Sequence, residues 1–547
     1  MLRCLILSLA ITSGAAQAQT PGFTWALGAG GPSNDRASGI AATSKGVYVA
    51  GTVGYETTFG DTTVNAGFTD PFLALFEPDG TLRWLTLVGG PDNDQGKAMA
   101  IDTNGFAVAT GYFQSSAQFG VTTLQSTGQD DIFLVRFSKD GAVQWALRAG
   151  GPDDDGGLGV GISESGDRIA VTGYFRGSAD FNGTTLSTSE DADIFVALYD
   201  STGTMLWVRQ AGAADAYDDV GTDVAITSDG GVVVTGYFDD TADFSGTTLT
   251  ASDELDAFVA RYSPSGSIEW VVQISGDDDE RAEAVAVDSA DRIFVAGGFG
   301  HTLEVGSLRL DNPFANDYVF TLALSPAGDP LWLNGAGGNG RGTARSIDAS
   351  LPGHVVIAGD FQVSISFGSL SFDADGSDDL FVAAYDTDGV LRWARTGGGT
   401  GMTRTYGVAV NPSGEVFIGG DYDDPISFDE IAVPEIYSVE DLFVAGMESI
   451  VGIDVENAVT QAAPCVPGLY PNPAQNTLTI LTCETSRRGT TVSIRDLLGR
   501  VEAIARDKGR SEAGLIRLDI SLLPAGIHLV SIVDEDGVSH ATFAKVR

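Results

Sequence analysis

The sequence predicts an all-β fold: a seven-bladed β-propeller closed by its own N-terminal strand, followed by a small C-terminal β-sandwich. Three observations predict it. The seven tryptophans of the 547-residue chain, Trp25, Trp84, Trp145, Trp207, Trp270, Trp332 and Trp393, stand 59 to 63 residues apart. A fixed period of that kind marks a repeat architecture. Each period holds four short runs rich in Val, Ile, Phe and Tyr, the residues that pleated surfaces prefer, separated by Gly, Asp and Asn. No long helical periodicity interrupts them, and 71 glycines suit many short strands joined by tight turns.

Residues 1–18 read as an export signal. Arg3 is a minimal positive region, CLILSLAITSGAA is the apolar stretch, and Ala16-Gln17-Ala18 is a small-residue cleavage site. No later apolar run is long enough to span a bilayer, so the expected mature protein begins near Gln19 and has no transmembrane segment.

Residues 19–447 carry the repeat. The first strand-like run of each period includes Ser38–Thr43, Lys97–Asp102, Gly159–Ser163, Asp223–Thr227, Ala284–Asp288, Ser346–Ala349 and Gly407–Asn411. The second reads VYVAGTV, FAVATGYF, RIAVTGYF, VVVTGYF, RIFVAGGF, VVIAGDF and VFIGGDY. The third opens on Asp70, Asp131, Asp193, Asp256, Asp317, Asp379 and Asp441, and the fourth carries the tryptophans. EPDG, SKDG, DSTG, SPSG, SPAG and DTDG join third to fourth, with the residues a hairpin turn requires. Between second and third, the phrase FGDTTV recurs as FGVTTL, FNGTTL and FSGTTL and reads as an extra hairpin or ordered loop. The chain starts with a fourth-type strand around Trp25 and stops after a third-type strand at Asp441–Met447. Pairing the two closes a ring and removes the edges an open array exposes.

The succession W-x-x-x-x-GG-x-x-x-(N/D)-D, G-(V/F)-x-V-x-G-x-F and D-x-F-(L/V)-A resembles the bacterial β-propeller repeat family often labelled SBBP, over Trp25 to Met447. That resemblance implies a fold and says little about ligand. After Trp332 and Trp393 the acidic pair is missing, and the loops read GGNGRGTAR and GGGTGMTRT.

Residues 448–463 read as a linker. Residues 464–547 contain YPNPAQNTLTI, TVSIRDLLGRV and IRLDISLLPAGIHLVSIV. This stretch resembles the C-terminal sorting domain of the bacterial type IX secretion system, through Tyr470, Pro471, Asn472, Pro473, Gly499 and Gly526, with His528 where the family usually has Tyr. The resemblance implies a β-sandwich recognised by the type IX export machinery, and a secreted or outer-surface location reached through the periplasm. Cys465 and Cys483, the two cysteines left after the export signal, can pair as a disulfide in an oxidising compartment or stay separate thiols.

The formal net charge is -44, and the stretch of residues 19–447 holds 62 acidic against 19 basic side chains. Such a surface argues against nucleic acid, whose phosphates need clustered Lys and Arg, and against anionic lipid. Asp and Asn crowd the loops after the Trp strands and before the third strands. Hard oxygen ligands in flexible loops suit Ca²⁺, and Asp373, Asp375, Asp378 and Asp379 form the best single cluster. The other reading of these loops is turn chemistry, in which Asp and Asn bond their own backbone. The seven Asp residues that open the third strands, and the seven Trp residues, read as structural positions, because a catalytic group is needed once and a fixing contact in every repeat.

The expected protein is a secreted or cell-surface, monomeric, non-catalytic binding or adhesion scaffold for an unknown glycan or protein ligand. The alternatives are a carbohydrate-active hydrolase or lyase using carboxylates on the propeller face, or a purely structural surface protein. An enzyme should show non-repeating polar residues turned into a pocket, and the irregular repeats point to Arg341, Arg345, Arg404 and Tyr406.

Overall fold

The computed structural model describes residues 20–213, 218–312, 316–437 and 439–451, together with seven strands between residues 468 and 545. The chain divides into two compact units, Gln19–Ile453 and one that includes Asp454–Arg547. Both are built of antiparallel strands, and the described residues contain no helix. The export signal, the Cys465–Cys483 question, Pro471–Pro473 and Gly499 lie outside the described residues.

In the larger unit each period folds into four antiparallel strands in sequence order. Repeat 2 is representative: Gln95–Ile101, Ala107–Phe119, Thr122–Phe137 and Val143–Gly150 pair successively. The last set completes itself from both chain ends. Thr403–Val410, Glu415–Tyr422 and Asp441–Ser449 receive Phe23–Ala29 as their fourth strand, with Ala26 opposite Ala445 and Gly28 opposite Phe443. The third-type strand thus runs two residues beyond Met447, because Glu448 N–H still donates to the Gly22 carbonyl at 2.9 Å.

The second and third strands are apolar on both faces because each set is covered on both faces. Seven core clusters form among the described residues, each shared by two neighbouring repeats. One unites repeat 7 with repeat 1 through Leu442, Val444, Phe417, Ala37, Val49 and Phe72. The first strands, Arg36–Thr43, Gln95–Ile101, Gly156–Ile162, Val220–Ile226, Glu280–Val287, Gly342–Asp348 and Thr403–Val410, touch one another in that order, and the last touches the first.

The recurring phrase between second and third strands is a hairpin. In repeats 1 to 4 it prolongs the two strands, and in repeats 5 to 7 it is a separate pair such as Ser364–Phe367 with Leu370–Asp373. Its phenylalanine packs on the phenylalanine of the third strand, as Phe181 does on Phe195 with centroids 4.9 Å apart. Its backbone bridges to the Gly that ends the Trp strand of the preceding repeat: Gly30 to Thr58, Gly89 to Gln118, Gly150 to Asp180, Gly212 to Asp243, Gly276 to Leu303, Gly337 to Ser366 and Gly398 to Ser427. A Cβ on Gly151 would collide with the Ser178 carbonyl of that hairpin. The Gly-Gly pair therefore marks a place where two backbones meet.

The tryptophans make a second latch. Trp25, Trp145, Trp207, Trp270 and Trp332 each donate the indole N–H to a carbonyl in the third-to-fourth turn of the next repeat, at 2.7, 3.1, 3.0, 3.2 and 3.1 Å. The turn glycine lies under the ring. Gly266, at φ +78°, would place a Cβ 2.7 Å from the Trp207 ring. Trp393 is buried instead against the closing strands.

The Asp that opens each third strand ties its own approach loop. Asp70 accepts N–H groups of Gly67 and Gly90 at 2.8 and 3.0 Å, Asp441 those of Ile436 and Tyr437 at 2.9 and 3.0 Å, and Asp379 that of Asp375 at 2.8 Å. Asp131 takes an ion pair from Arg148 at 2.8 Å and Asp317 one from Arg341 at 2.6 Å, while Asp193 and Asp256 bond Gln210 and Gln273.

The smaller unit contains two antiparallel sheets. One is Gly468–Tyr470, Thr477–Leu481 and Leu515–Asp519. The other is Val501–Arg506, Thr491–Arg495, Gly526–Asp534 and Gly537–Lys545.

Candidate functional site at the mouth of the central channel

The seven first strands enclose a channel of about 1430 Å³. Each carries one β-bulge, at the same place, where the ladder to the second strand skips a residue. The skipped residues are Ser38, Lys97, Leu158, Thr222, Glu283, Arg345 and Tyr406. All seven line the channel and all are half-buried. A bulge re-aims one side chain and is common beside functional sites. The positions on either side are mostly Gly or Ala, whereas this one holds seven different residues.

A second layer lies beside the ring, where each first strand begins. Arg36, Arg281 and Arg404 stand opposite Thr52, Gly298 and Asp421, while Gln95, Gly156 and Val220 stand opposite Tyr112, Tyr174 and Tyr237. Arg36 donates to Asp421 at 2.7 Å and lies 4.5 Å over the Tyr406 ring. Arg345 makes a two-pronged pair with Asp360 and lies 5.4 Å from the same ring. Arg404 donates to Asp378 at 3.1 Å. Lys97 lies 5.1 Å over Tyr112 and donates to Gln95 Oε1 at 2.8 Å.

Burial pushes the Lys97 ammonium down to about 8, assisted by repulsion from Arg36 and opposed by Asp130. Burial pushes the Glu283 carboxyl up, against the attraction of Arg345 and Arg281. Burial first, then nearby charges including Asp421, raises Tyr406. The mouth therefore offers cationic donors, neutral phenols and one carboxyl biased toward its protonated form.

The acidic loops are arranged differently. Asp373 and Asp375 are exposed, whereas Asp378 and Asp379 are buried in separate bonding arrangements. Asp378 takes Gln362 at 2.8 Å and Arg404, while Asp379 takes the Asp375 N–H. Among the described residues, the acidic group whose oxygens lie within 4.8 Å of one another is Glu254, Asp278 and Asp279. The second Asp of the acidic pair turns inward. Asp35, Asp94, Asp155, Asp219 and Glu280 are all fully buried, each at the junction with the Asp that opens the third strand of the preceding repeat. Asp35 accepts Gly54 N–H at 2.9 Å, Asp94 accepts Gln114 N–H at 2.9 Å, and Asp155 accepts Arg176 N–H at 3.0 Å. Burial, reinforced by the facing Asp, pushes Asp35, Asp94 and Asp155 up to about 7 and Glu280 up to about 10. In repeats 6 and 7, Gly342 and Thr403 replace this carboxylate.

Of the residues singled out in the irregular repeats, Arg345 and Tyr406 line the channel, and Arg404 lies beside Tyr406 and donates to Asp378. Arg341 instead pairs with Asp317 and does not line the channel. Lys97 and Glu283 escaped notice because each sits inside a regular repeat. The signal that finds them is a single repeat position at which no two of the seven residues agree.

Residues 468–545 match the family described as Secretion system C-terminal sorting domain. The chain thus carries a type IX sorting domain and is a secreted or cell-surface protein. Over an alignment of 455 positions that covers 66% of this chain, it is 22% identical to an uncharacterized WD repeat-containing protein of Acanthamoeba polyphaga mimivirus, of which it covers 32%. Over 162 residues, 29% of its length, it is 31% identical to the Regulatory protein FlaEY of Caulobacter vibrioides, of which it covers 16%. The chain thus spans a third or less of these relatives. Among solved structures it resembles a puromycin hydrolase, with a TM-score of 0.30 and 13% identity over 74% of this chain and 61% of that one. It also resembles the Niastella koreensis GH74 enzyme, with a TM-score of 0.23 and 11% identity over 96% and 92%.

Proposed function

We propose that the protein is a secreted binding scaffold: a closed, seven-bladed β-propeller that holds its ligand at one mouth of the central channel, exported through residues 464–547. The observation that carries this reading is the bulge ring of Ser38, Lys97, Leu158, Thr222, Glu283, Arg345 and Tyr406. A repeat that served only packing would keep this position as uniform as its Trp, Gly and Asp positions. The cyclic contacts of the first strands, the core shared by repeats 7 and 1, and the pairing of Phe23–Ala29 with Asp441–Ser449 support the closed ring.

Binding fits the site better than glycoside hydrolysis. Hydrolysis ordinarily uses two carboxyl groups flanking the bond, one of them free to act as base or nucleophile. Here Asp360 and Asp421 are committed to Arg345 and Arg36. Glu283 is the single carboxyl of the bulge ring.

A glycan and matrix-protein array tests the reading. The folded protein is expected to bind a restricted set of ligands, and a variant with Lys97→Ser, Arg345→Ser and Tyr406→Ser is expected to lose that set while melting as a cooperative unit. An unchanged set of ligands on the variant would place binding elsewhere.

A further inference from the structure

Resting on the channel-mouth reading, we propose that the ligand is an anionic saccharide, whose carboxylate or sulfate group is taken by Lys97 and the adjacent arginine arc. The arc is continuous across repeats 6, 7, 1 and 2: Arg345, Arg404, Arg36 and Lys97. Arg345 and Arg36 share the Tyr406 ring, and Lys97 lies close enough to Arg36 for the two charges to repel. Together with Arg281 they make five of the 19 basic residues of the stretch 19–447. In a surface so acidic, that concentration at one opening is a departure of the kind that marks a ligand site.

The donors of this arc outnumber their acceptors. Each arginine is matched by carboxylate: Arg345 with Asp360, Arg36 with Asp421 and, at 3.5 Å, Glu440, and Arg404 with Asp378. Lys97 has no ion-pair partner among the described residues, and its one hydrogen bond, to Gln95 Oε1, leaves further ammonium hydrogens to donate. Arg404 Nε is buried without a hydrogen-bond partner. Arginine and lysine carry no acceptor, so the complement to this arc is an acceptor-rich group. Carboxylate and sulfate oxygens supply that in compact form.

The rest of the mouth suits a polyhydroxylated body. Tyr406 lines the channel, Tyr112 lies beneath Lys97, and Tyr174 and Tyr237 occupy the register position of Tyr112 in the next two repeats. Tyrosine offers an apolar face and a hydroxyl in one side chain, as a sugar ring offers an apolar face and hydroxyl edges. Ser38 adds a hydroxyl on the ring, and burial shifts the Glu283 carboxyl toward its neutral form. Asp130, Asp154, Asp218 and Asp279 act on Tyr112, Tyr174 and Tyr237, so the anionic group is confined to the arc itself, and at physiological salt a screening length of about 8 Å damps the more remote carboxylates.

Retardation in native gels containing polygalacturonate, dextran sulfate or neutral dextran tests the assignment on the full exported chain. The wild type is expected to be retarded by polygalacturonate or dextran sulfate and not by dextran, and the two anionic arms tell carboxylate from sulfate. Lys97→Ala is expected to weaken that retention about tenfold or more, while Lys97→Arg keeps most of it. Unchanged melting of Lys97→Ala confirms that folding is intact. Retention on neutral dextran that Tyr406→Ala abolishes and Lys97→Ala leaves alone would overturn the anionic assignment and keep the mouth as the binding site. Retention on the anions that neither substitution alters would overturn the assignment and the mouth reading together. Conversion of polygalacturonate to a product with the ultraviolet absorbance of an unsaturated uronate would support the ligand class while overturning the non-catalytic reading.

Discussion

Deleting residues 20–30 is expected to make the protein aggregate. The deletion takes away one strand, yet that strand joins the two ends of the array. Phe23–Ala29 pairs with the third-type strand of repeat 7, Gly30 bridges to Thr58 of repeat 1, and Trp25 donates to Pro78 at 2.7 Å. Arg395 reaches back to the Thr20 and Pro21 carbonyls at 3.3 and 3.2 Å. Without these contacts Asp441–Ser449, whose first seven residues are buried, becomes an exposed apolar edge, the feature that templates association between chains. The core shared by repeats 7 and 1 opens with it. Size-exclusion chromatography and a thermal melt read the outcome: loss of the wild-type elution peak and a midpoint lowered by roughly 10 °C or more. A variant that elutes and melts as the wild type does would show that the array needs no such closure.

Stability is expected to fall as pH rises from about 5 to about 8. The buried junction carboxyls Asp35, Asp94 and Asp155 have folded pKa values of about 7, and Glu280 about 10, raised chiefly by burial. Their unfolded values are near 4. Between those limits the folded state holds more protons than the unfolded state. Their contribution is therefore complete below about pH 4 and is lost as pH rises through the folded values. Each shift of about three units corresponds to about 4 kcal/mol. Three such groups lower the melting midpoint on the order of 10 °C for a domain of this size. Turn aspartates such as Asp200 and Asp229 pull the other way. Side-chain hydrogen bonds from Thr202 and Thr227 hold them below the ordinary range, and their contribution disappears in stronger acid. The stability maximum is expected near pH 4 to 6. A midpoint that rises with pH would contradict the protonated junctions. So would one indifferent to pH yet raised by millimolar Ca²⁺, because cations rather than protons would then hold the carboxyl pairs.

Much of this architecture was legible in the residues. The four strands per repeat follow from alternation and turn chemistry, since EPDG and SPSG have few other uses between two apolar runs. The pairing of the Trp25 strand with Asp441–Ser449 was legible from what each end of the array lacked. The purpose of the repeated phrases was not. Trp and the turn glycine, and the Gly-Gly pair and the hairpin, touch across neighbouring repeats, and contacts between positions some 55 and some 30 residues apart leave no local mark. The burial of the acidic loops was not legible for a related reason. Asp35 and Asp94 look like surface carboxylates in the sequence, yet each is buried and bonded to a backbone N–H one strand away. At the candidate site, Arg345 and Tyr406 stood out because their repeats are irregular. Lys97 and Glu283 became visible only once the bulges placed one residue from every repeat around one channel.

Hydrogen exchange of the protein with and without its best array ligand tests the central claim most directly. The account predicts that new protection concentrates at the bulges of the first strands, across residues 36–40, 95–99, 281–285, 343–347 and 404–408, with the neighbouring second strands following. Protection confined to the acidic loops around Asp153, Asp278 and Asp375, with the channel strands unchanged, would contradict it.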